Sequence, residues 1–289
     1  MASASSRNDP LSLQVGAIPA TIAPMGTPPI RITGCVITRN EQVMLAGCLE
    51  SLARCCDELV VVDSGSTDQT REIAAAHGAR VLEHPWMGYR TQKQFAVDAA
   101  SHEWILFLDA DERASEALVA EIQTLRRREP AEAAFRIPFR SIYFGARLRF
   151  GDTARERHVR FFDRRRARFG GYEIHERIET EGEVGRLRGI ILHDSYRSLA
   201  HQLEKLARYA QLMAEAQHAT GRRGSIAALL VNPVWRFLRG YLFRLGVLDG
   251  WRGLVYSLIE ANYVRQKYLH LLVLDRRLND RRAGSPGPR

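Results

Sequence analysis

The chain has 289 residues, 45% of them hydrophobic, which is enough for one large domain or two modest ones and excludes a wholly disordered protein. Lys and Arg outnumber Asp and Glu by 42 to 33, and the net charge of +9 points to an anionic partner (phosphate, nucleic acid or acidic lipid) without choosing among them. The four cysteines (Cys35, Cys48, Cys55, Cys56) form no CxxC pair, and two of them are vicinal, so they suit neither a structural disulfide nor a zinc site and read as reduced thiols.

Residues 1–29 are rich in Ser, Ala and Pro; prolines interrupt every apolar run, so the segment reads as a disordered leader without a secretory core. Ile32 to Thr38 predicts a buried strand, and apolar residues at Leu45, Cys48, Leu49 and Leu52 predict a helix over 41–52. A second strand, Glu58 to Val62, runs into Asp63-Ser64-Gly65-Ser66-Thr67-Asp68, and a helix from Gln69 to His77 stops at Gly78. Arg80 to Glu83 is a third strand, 92–100 a further helix, and Glu103 to Leu108 an apolar run of the kind that a parallel strand covered on both faces requires. Alternating strands and helices imply an α/β half with a parallel sheet. Past Pro130, alternation over 134–142 and near 159–162 predicts an antiparallel, less regular portion. From Leu199 onward the pattern is helical, and no run of ~18 apolar residues predicts a spanning helix.

Polar clusters follow three of the strands: Thr38-Arg39-Asn40-Glu41, Asp63 to Asp68, and Asp109-Ala110-Asp111-Glu112. In an open parallel sheet these are the carboxyl ends where ligands collect. An Asp-x-Asp after a buried strand offers hard oxygens to Mg²⁺ or Mn²⁺ together with a diphosphate. The same residues, Asp111 and Glu112, also suit a turn that caps the next helix.

Ile37 to Glu41, Glu58 to Thr70, and Trp104 to Glu112 together resemble family 2 inverting glycosyltransferases of the GT-A fold, an α/β fold with a mostly parallel sheet flanked by helices. Trp86 to Tyr89 with Gln92-Lys93, Ile174-His175-Glu176, and His193 to Tyr196 are similar to the branch that holds lipopolysaccharide-core β-1,4-glucosyltransferases. The resemblance implies transfer of a hexose, glucose foremost, from a UDP-sugar to a lipopolysaccharide-core or other lipid-linked saccharide. It also implies a GT-A catalytic domain over 30–198, with a nucleotide-sugar half (30–130) and an acceptor half (131–198).

The resemblance places Asp63 at the uracil ring, whose imide proton a carboxylate can accept, with Thr38, Asn40, Glu41, Ser64, Gly65, Ser66 and Asp68 around base and ribose; an Asx-type turn at the strand end is the other reading of Asp63, and a polar loop that of Ser64 to Thr67. Asp109 would face the ribose and the metal, Asp111 the metal, and His193 would be a further metal ligand. Lys93 would steady the diphosphate, or else lie on a solvated helix face. Inversion needs one base for the acceptor hydroxyl, and Glu176 is the candidate, with Asp194 and Glu173 next; a salt-bridged glutamate among arginines is the other reading of Glu176. Residues 151–157 depart from the branch's acceptor segment, while the arginines from Arg147 to Arg168 suit a phosphorylated acceptor.

Over Val234 to Leu245, a period of ~100° per residue puts Val234, Phe237, Leu238, Tyr241, Leu242 and Leu245 on one side and Arg236 and Arg239 opposite. This predicts an amphipathic helix in a helical region 199–275, with a flexible tail over 276–289; the helix either packs on the catalytic domain or, for the lipid-linked acceptor that the resemblance implies, lies on an anionic membrane surface at the inner face of the cytoplasmic membrane. Two other functions fit parts of the pattern. A nucleotidyltransferase would carry a Gly-rich basic loop where Thr38 to Glu41 stand, and a nucleic-acid-binding protein would have its phosphates repelled by the acidic strand ends, so no nucleic-acid partner is expected.

Overall fold

The computed structural model describes residues 29–283 except 173, 174, 195 and 197; the predicted leader, Pro29 apart, and residues 284–289 of the predicted tail lie outside the described residues. The first half alternates as its periodicity predicts: β1 (Ile32–Thr38), α1 (Leu45–Ala53), β2 (Glu58–Asp63), α2 (Thr70–Ala76), β3 (Arg80–Glu83), α3 (Tyr89–Asp98) and β4 (Trp104–Phe107). Gly78, at φ +72°, ends α2 in the left-handed conformation that glycine adopts without a Cβ clash. Then come β5 (Glu112–Ala114), α4 (Glu116–Leu125), β6 (Ala134–Tyr143), β7 (Ala146–Arg147), β8 (Arg157–Asp163), β9 (Ala167–Tyr172), β10 (His175–Thr180), β11 (Val184–Arg186) and β12 (Ile191–His193).

The main sheet runs β3-β2-β1-β4-β8-β6-β12-β5. Its first four strands are parallel, as predicted; β8 enters antiparallel to both β4 and β6, and β12 lies parallel to β6 and antiparallel to β5. The strand order reverses at β1, so the crevice beyond the carboxyl ends of β1 and β4 is the topological switch point where ligands bind in such sheets. Ile32, Val36, Val61, Leu106 and Leu49 of α1 are wholly buried on one face, and Val60, Val62, Ile105, Phe107 and Ala96 of α3 on the other. At ~1.5–3 kcal/mol for each large aliphatic or aromatic side chain, this two-sided burial holds the strand ends in place.

β9 and β10 form a separate hairpin, in which Glu176 pairs with Gly171. It is fastened to α3 by the backbone N–H of Phe169, which donates to Gln94 Oε1 at 2.8 Å. The helix after the Asp-x-Asp is capped by Ser115, whose side chain accepts from the Leu118 N–H, and not by Asp111 or Glu112.

The C-terminal part comprises α5 (Leu199–Ala219), α6 (Ile226–Leu238), a π turn (Arg239–Phe243), a 3-10 turn (Gly246–Asp249) and α7 (Gly250–Ala283). The final helix thus continues past Arg276, where the sequence predicts a flexible tail to begin. The predicted helix over Val234 to Leu245 is also corrected: α6 ends at Leu238 and Leu245 is left-handed, with φ +60°. Glycines permit this reversal, because a Cβ on Gly246 would stand 2.7 Å from the Gly240 carbonyl and one on Gly253 1.9 Å from the Gly246 carbonyl. Among the described residues, no helix is long and apolar enough to cross a membrane.

Candidate active site

Thr38 and Asp63 close β1 and β2 side by side in register. The fully buried Asp63 carboxylate accepts from the backbone N–H groups of Gly65 (3.1 Å) and Ser66 (2.8 Å) through Oδ1, and from the hydroxyls of Thr38 (3.0 Å) and Ser66 through Oδ2. Ser64 Oγ accepts from Gln92 Nε2 of α3 at 2.8 Å. Asn40, left-handed at φ +57°, donates its backbone N–H to Ser66 Oγ (2.9 Å) and accepts the Thr67 N–H on Oδ1 (2.8 Å). The Glu41 N–H donates to Thr70 Oγ1 (2.8 Å), and Asp68 accepts from the N–H groups of Gln42 (3.3 Å) and Thr70 (3.1 Å). Asn40, Glu41 and Asp68 therefore lace the loop after β1 to the loop after β2, while Thr38, Asp63, Ser64 and Ser66 form a buried floor between them.

β4 delivers Asp109 just past its end. Lys93 Nζ lies 2.9 Å from Asp109 Oδ1 and 2.8 Å from Glu176 Oε1, and Arg160 Nη2 lies 2.8 Å from both Asp109 Oδ2 and Glu112 Oε1. Glu112 Oε2 accepts the Asp109 N–H at 3.0 Å. The Lys93 side chain is only 4% exposed, so the solvated-helix reading of it is overturned. Two cations thus serve three carboxylates in a site walled by Phe107 and Phe139, over which the Arg160 guanidinium stacks at 6.0 and 5.4 Å.

Charge pairing sets the protonation here. Burial alone would raise the Asp109 carboxyl, but Lys93 and Arg160 outweigh it and hold the group well below the usual carboxylate range. Glu112, more deeply buried and facing Asp109, is pushed up to about 7 despite Arg160. Arg160, opposite both carboxylates, is held firmly charged.

Asp111 points elsewhere. Its Oδ2 lies 3.3 Å from His193 Nε2, and the Asp194 N–H donates to the Asp111 carbonyl at 2.9 Å, which fixes the end of β12 beside the Asp-x-Asp. Burial would lower the His193 imidazolium, but Asp111 and the nearby carboxylates raise it to about 9. Among the described residues no three His, Cys, Asp or Glu side chains converge on one point. Asp109 is turned to Lys93 and Arg160 rather than to the Asp111–His193 pair, so the predicted three-residue metal set is not assembled. The pair offers one oxygen and, once a cation displaces the imidazolium proton, one nitrogen donor; a divalent cation that shares its shell with a diphosphate and water needs few protein ligands, and the donor set fits such an ion.

Several predicted acceptor arginines are engaged within the fold: Arg160 as above, Arg165 on Asp163 (2.7 Å), and Arg166 on the carbonyl of Ala131 (3.0 Å). Arg147, Arg157 and Arg168 are exposed. Arg160 is predicted only as one of the acceptor arginines, and Glu112 and Gln92 are not among the predicted site residues. The signal for Arg160 was present, since an arginine alternating with apolar residues inside a strand is a buried charge that must find a carboxylate. Glu173, a fallback base, lies outside the described residues.

The family profile described as glycosyl transferase family 2 matches residues 34–182. The lipopolysaccharide core biosynthesis glycosyltransferase LpsC of Rhizobium meliloti is 32% identical over 83% of this chain and 94% of its own. Among solved structures, glucosyl-3-phosphoglycerate synthase from Mycobacterium tuberculosis, in complex with Mn²⁺, uridine diphosphate and glucosyl-3-phosphoglycerate, is 25% identical with a TM-score of 0.30, covering 40% of this chain and 45% of that chain. S. aureus TarS 1–349 in complex with UDP is 16% identical with a TM-score of 0.43, covering 90% of this chain and 93% of that chain. With acidic clusters at the switch point of its sheet and a family match across both halves of that sheet, the chain belongs to glycosyl transferase family 2 and carries the GT-A fold.

Proposed function

We propose that the chain transfers a hexose, glucose the first candidate, from a UDP-sugar to a lipopolysaccharide-core or other lipid-linked saccharide at a membrane surface, inverting the anomeric centre. The observation that carries this reading is the bridge through Lys93, which brings Glu176 of the second half to Asp109 at the donor end of the sheet. The relation to LpsC supports the class of acceptor.

In this reading Asp63 accepts the imide proton of uracil and Asp109 faces the ribose. Asp111 and His193 would hold the divalent cation, Mg²⁺ or Mn²⁺, which supplies charge neutralisation for the diphosphate. Glu176 takes the proton of the acceptor hydroxyl as its oxygen bonds to the anomeric carbon and the bond from that carbon to the diphosphate breaks, so that UDP leaves with the electron pair. Buried Lys93 and Arg160 position the carboxylates, and Phe107 and Phe139 exclude water beside them.

The test is a screen of nucleotide sugars for metal-dependent release of UDP in the presence of purified lipopolysaccharide-core oligosaccharide, followed by determination of the product's anomeric configuration. An inverted glycosidic product with UDP release supports the reading. Release of pyrophosphate, or retention of configuration, overturns it.

A further inference from the structure

In the folded chain the predicted amphipathic segment keeps its arginines on the inner side and its apolar side outward. Arg236, Arg239 and Arg244 point inward and share the single carboxylate of Asp152, with Glu260 of α7 on Arg236. Of the segment's apolar side, Val234 (57%), Leu242 (47%) and Leu245 (48%) face solvent and Phe237, Leu238 and Tyr241 are half-buried, and beside them Leu230, Val231, Phe243 and Leu248 are exposed as well. The α6 stripe meets the reversal through Trp235, whose ring lies 5.6 Å from that of Phe243 and tilted to it, and Trp251 lies 5.6 Å from Phe144 on the loop that follows β6. β6 is parallel to β12, which ends at His193, so this loop opens at the same edge of the sheet as the candidate site.

The stretch of chain that carries this face is also the basic one. Residues 199–289 hold 15 Lys and Arg against 6 Asp and Glu, whereas residues 1–198 are balanced at 27 of each, so the whole surplus of +9 belongs to the region that carries the apolar face. Two copies joined through this face would bring like charges together. An anionic bilayer would neutralise them and take up the apolar side chains, with exposed Trp235 and Trp251 suited to the headgroup level.

We infer that the reversal between α6 and α7, from Leu242 to Leu248 together with the outer stripe of α6, inserts into the interface of an anionic membrane. The three arginines on Asp152 hold the insert rigid from the inside. The inference rests on the reading above only for its purpose, that the acceptor is presented at a lipid surface next to the site; its evidence and its test are independent of sugar transfer.

The experiment is co-sedimentation of the full chain with phosphatidylcholine vesicles, with and without about one third phosphatidylglycerol, at low and high salt. The wild type is expected to partition onto the anionic vesicles and to be weakened by salt. Phe243→Ser/Leu248→Ser should lower partitioning by about tenfold or more, with the melting temperature unchanged because both side chains are exposed. Arg222→Glu/Arg223→Glu should lower only the salt-sensitive part. UDP release with a soluble core oligosaccharide should be equal in the serine variant and the wild type, so failure of the transferase reading shows there and failure of the membrane inference in sedimentation. Wild-type partitioning by the serine variant overturns the inference. A wild type that ignores vesicles but forms a dimer by light scattering, split by the same variant, overturns it in favour of a second copy.

Discussion

Lys93 and Glu176 stand 83 residues apart in sequence and 2.8 Å apart in space, Nζ to Oε1. Helix α3 supplies the lysine and strand β10 the glutamate, and the hairpin is held to the helix by Phe169 on Gln94. The same ammonium reaches Asp109 Oδ1 at 2.9 Å, so a carboxylate at the carboxyl end of β4 and the candidate base on the hairpin are tied by one buried cation.

Replacing Glu176 by Gln should leave affinity for UDP and metal intact and reduce transfer by a factor on the order of 10² to 10⁴, the range for loss of general-base assistance. A purely structural Glu176 behaves in the opposite way, with a lower melting temperature and turnover close to wild type. Lys93→Met supplies the contrast: it strands Asp109 and Glu176 and should cost about 3–5 kcal/mol of stability, read from urea unfolding.

Asp111 pairs with His193 while Asp109 and Glu112 pair with Lys93 and Arg160, so variants of the two groups should differ. Asp111→Asn is expected to abolish metal-dependent release of UDP with no loss of fold, since its side chain is partly exposed. His193→Ala should raise the concentration of Mn²⁺ needed for half-maximal rate while leaving a measurable maximum. Asp109→Asn should instead unfold more easily, because it leaves Lys93 and Arg160 facing a neutral group in a buried site. Full activity of Asp111→Asn at ordinary metal concentration would remove the pair from the reaction.

Glu58 gives a prediction about pH. Burial would raise its carboxyl, but the Thr33 hydroxyl (2.7 Å), the Ser101 N–H (2.8 Å) and Arg80 (2.8 Å) lower it to about 2. Because the folded-state value is depressed, the stabilisation is complete above the unfolded carboxylate range and is lost as pH falls from about 4.5 toward 2. With solvent screening taken into account, Glu58→Gln should cost about 1–2 kcal/mol at pH 7 and almost nothing near pH 2. Urea unfolding of both proteins at pH 7, 4 and 2.5 checks this; a constant difference across that range would exclude a charge effect.

What could be read from the sequence was local. The acids at 63, 109 and 111 each follow a buried apolar run, and a strand that ends in an acid is visible without knowing its neighbours. Glu176 came from resemblance, while its link to Lys93 depends on a hairpin folding onto α3, which no periodicity reports. Arg160 was seen as one arginine among many, since its partners arrive from β4 and β5. The helix over 234–245 was misread for a related reason: a period of 3.6 is blind to the close approach of Gly246 to the Gly240 carbonyl, and the carboxylate that turns the arginines inward, Asp152, lies 92 residues from Arg244.

The remaining prediction concerns the buried floor at Asp63, where the proposed reading puts the nucleotide. All the lone pairs of Asp63 are engaged, by the N–H groups of Gly65 and Ser66 and by the hydroxyls of Thr38 and Ser66. A uracil imide can therefore bind Asp63 only where one hydroxyl yields, and Thr38 makes the longer of the two hydroxyl contacts. Asp63→Asn puts an amide donor against donors, and it should lower stability by about 1–3 kcal/mol and weaken UDP binding, with little change in turnover at saturating donor, because base recognition is the same in ground and transition states. Thr38→Val removes only the competing donor. It should cost the free protein about 1 kcal/mol yet leave UDP affinity unchanged or tighter, since in the proposed reading the freed lone pair is the one the ring would use. Calorimetric titration of UDP into the wild type and both variants checks the pair. A Thr38→Val protein that binds UDP as weakly as Asp63→Asn would show that the hydroxyl itself touches the nucleotide, and that Asp63 acts by holding the loop rather than by reading the base.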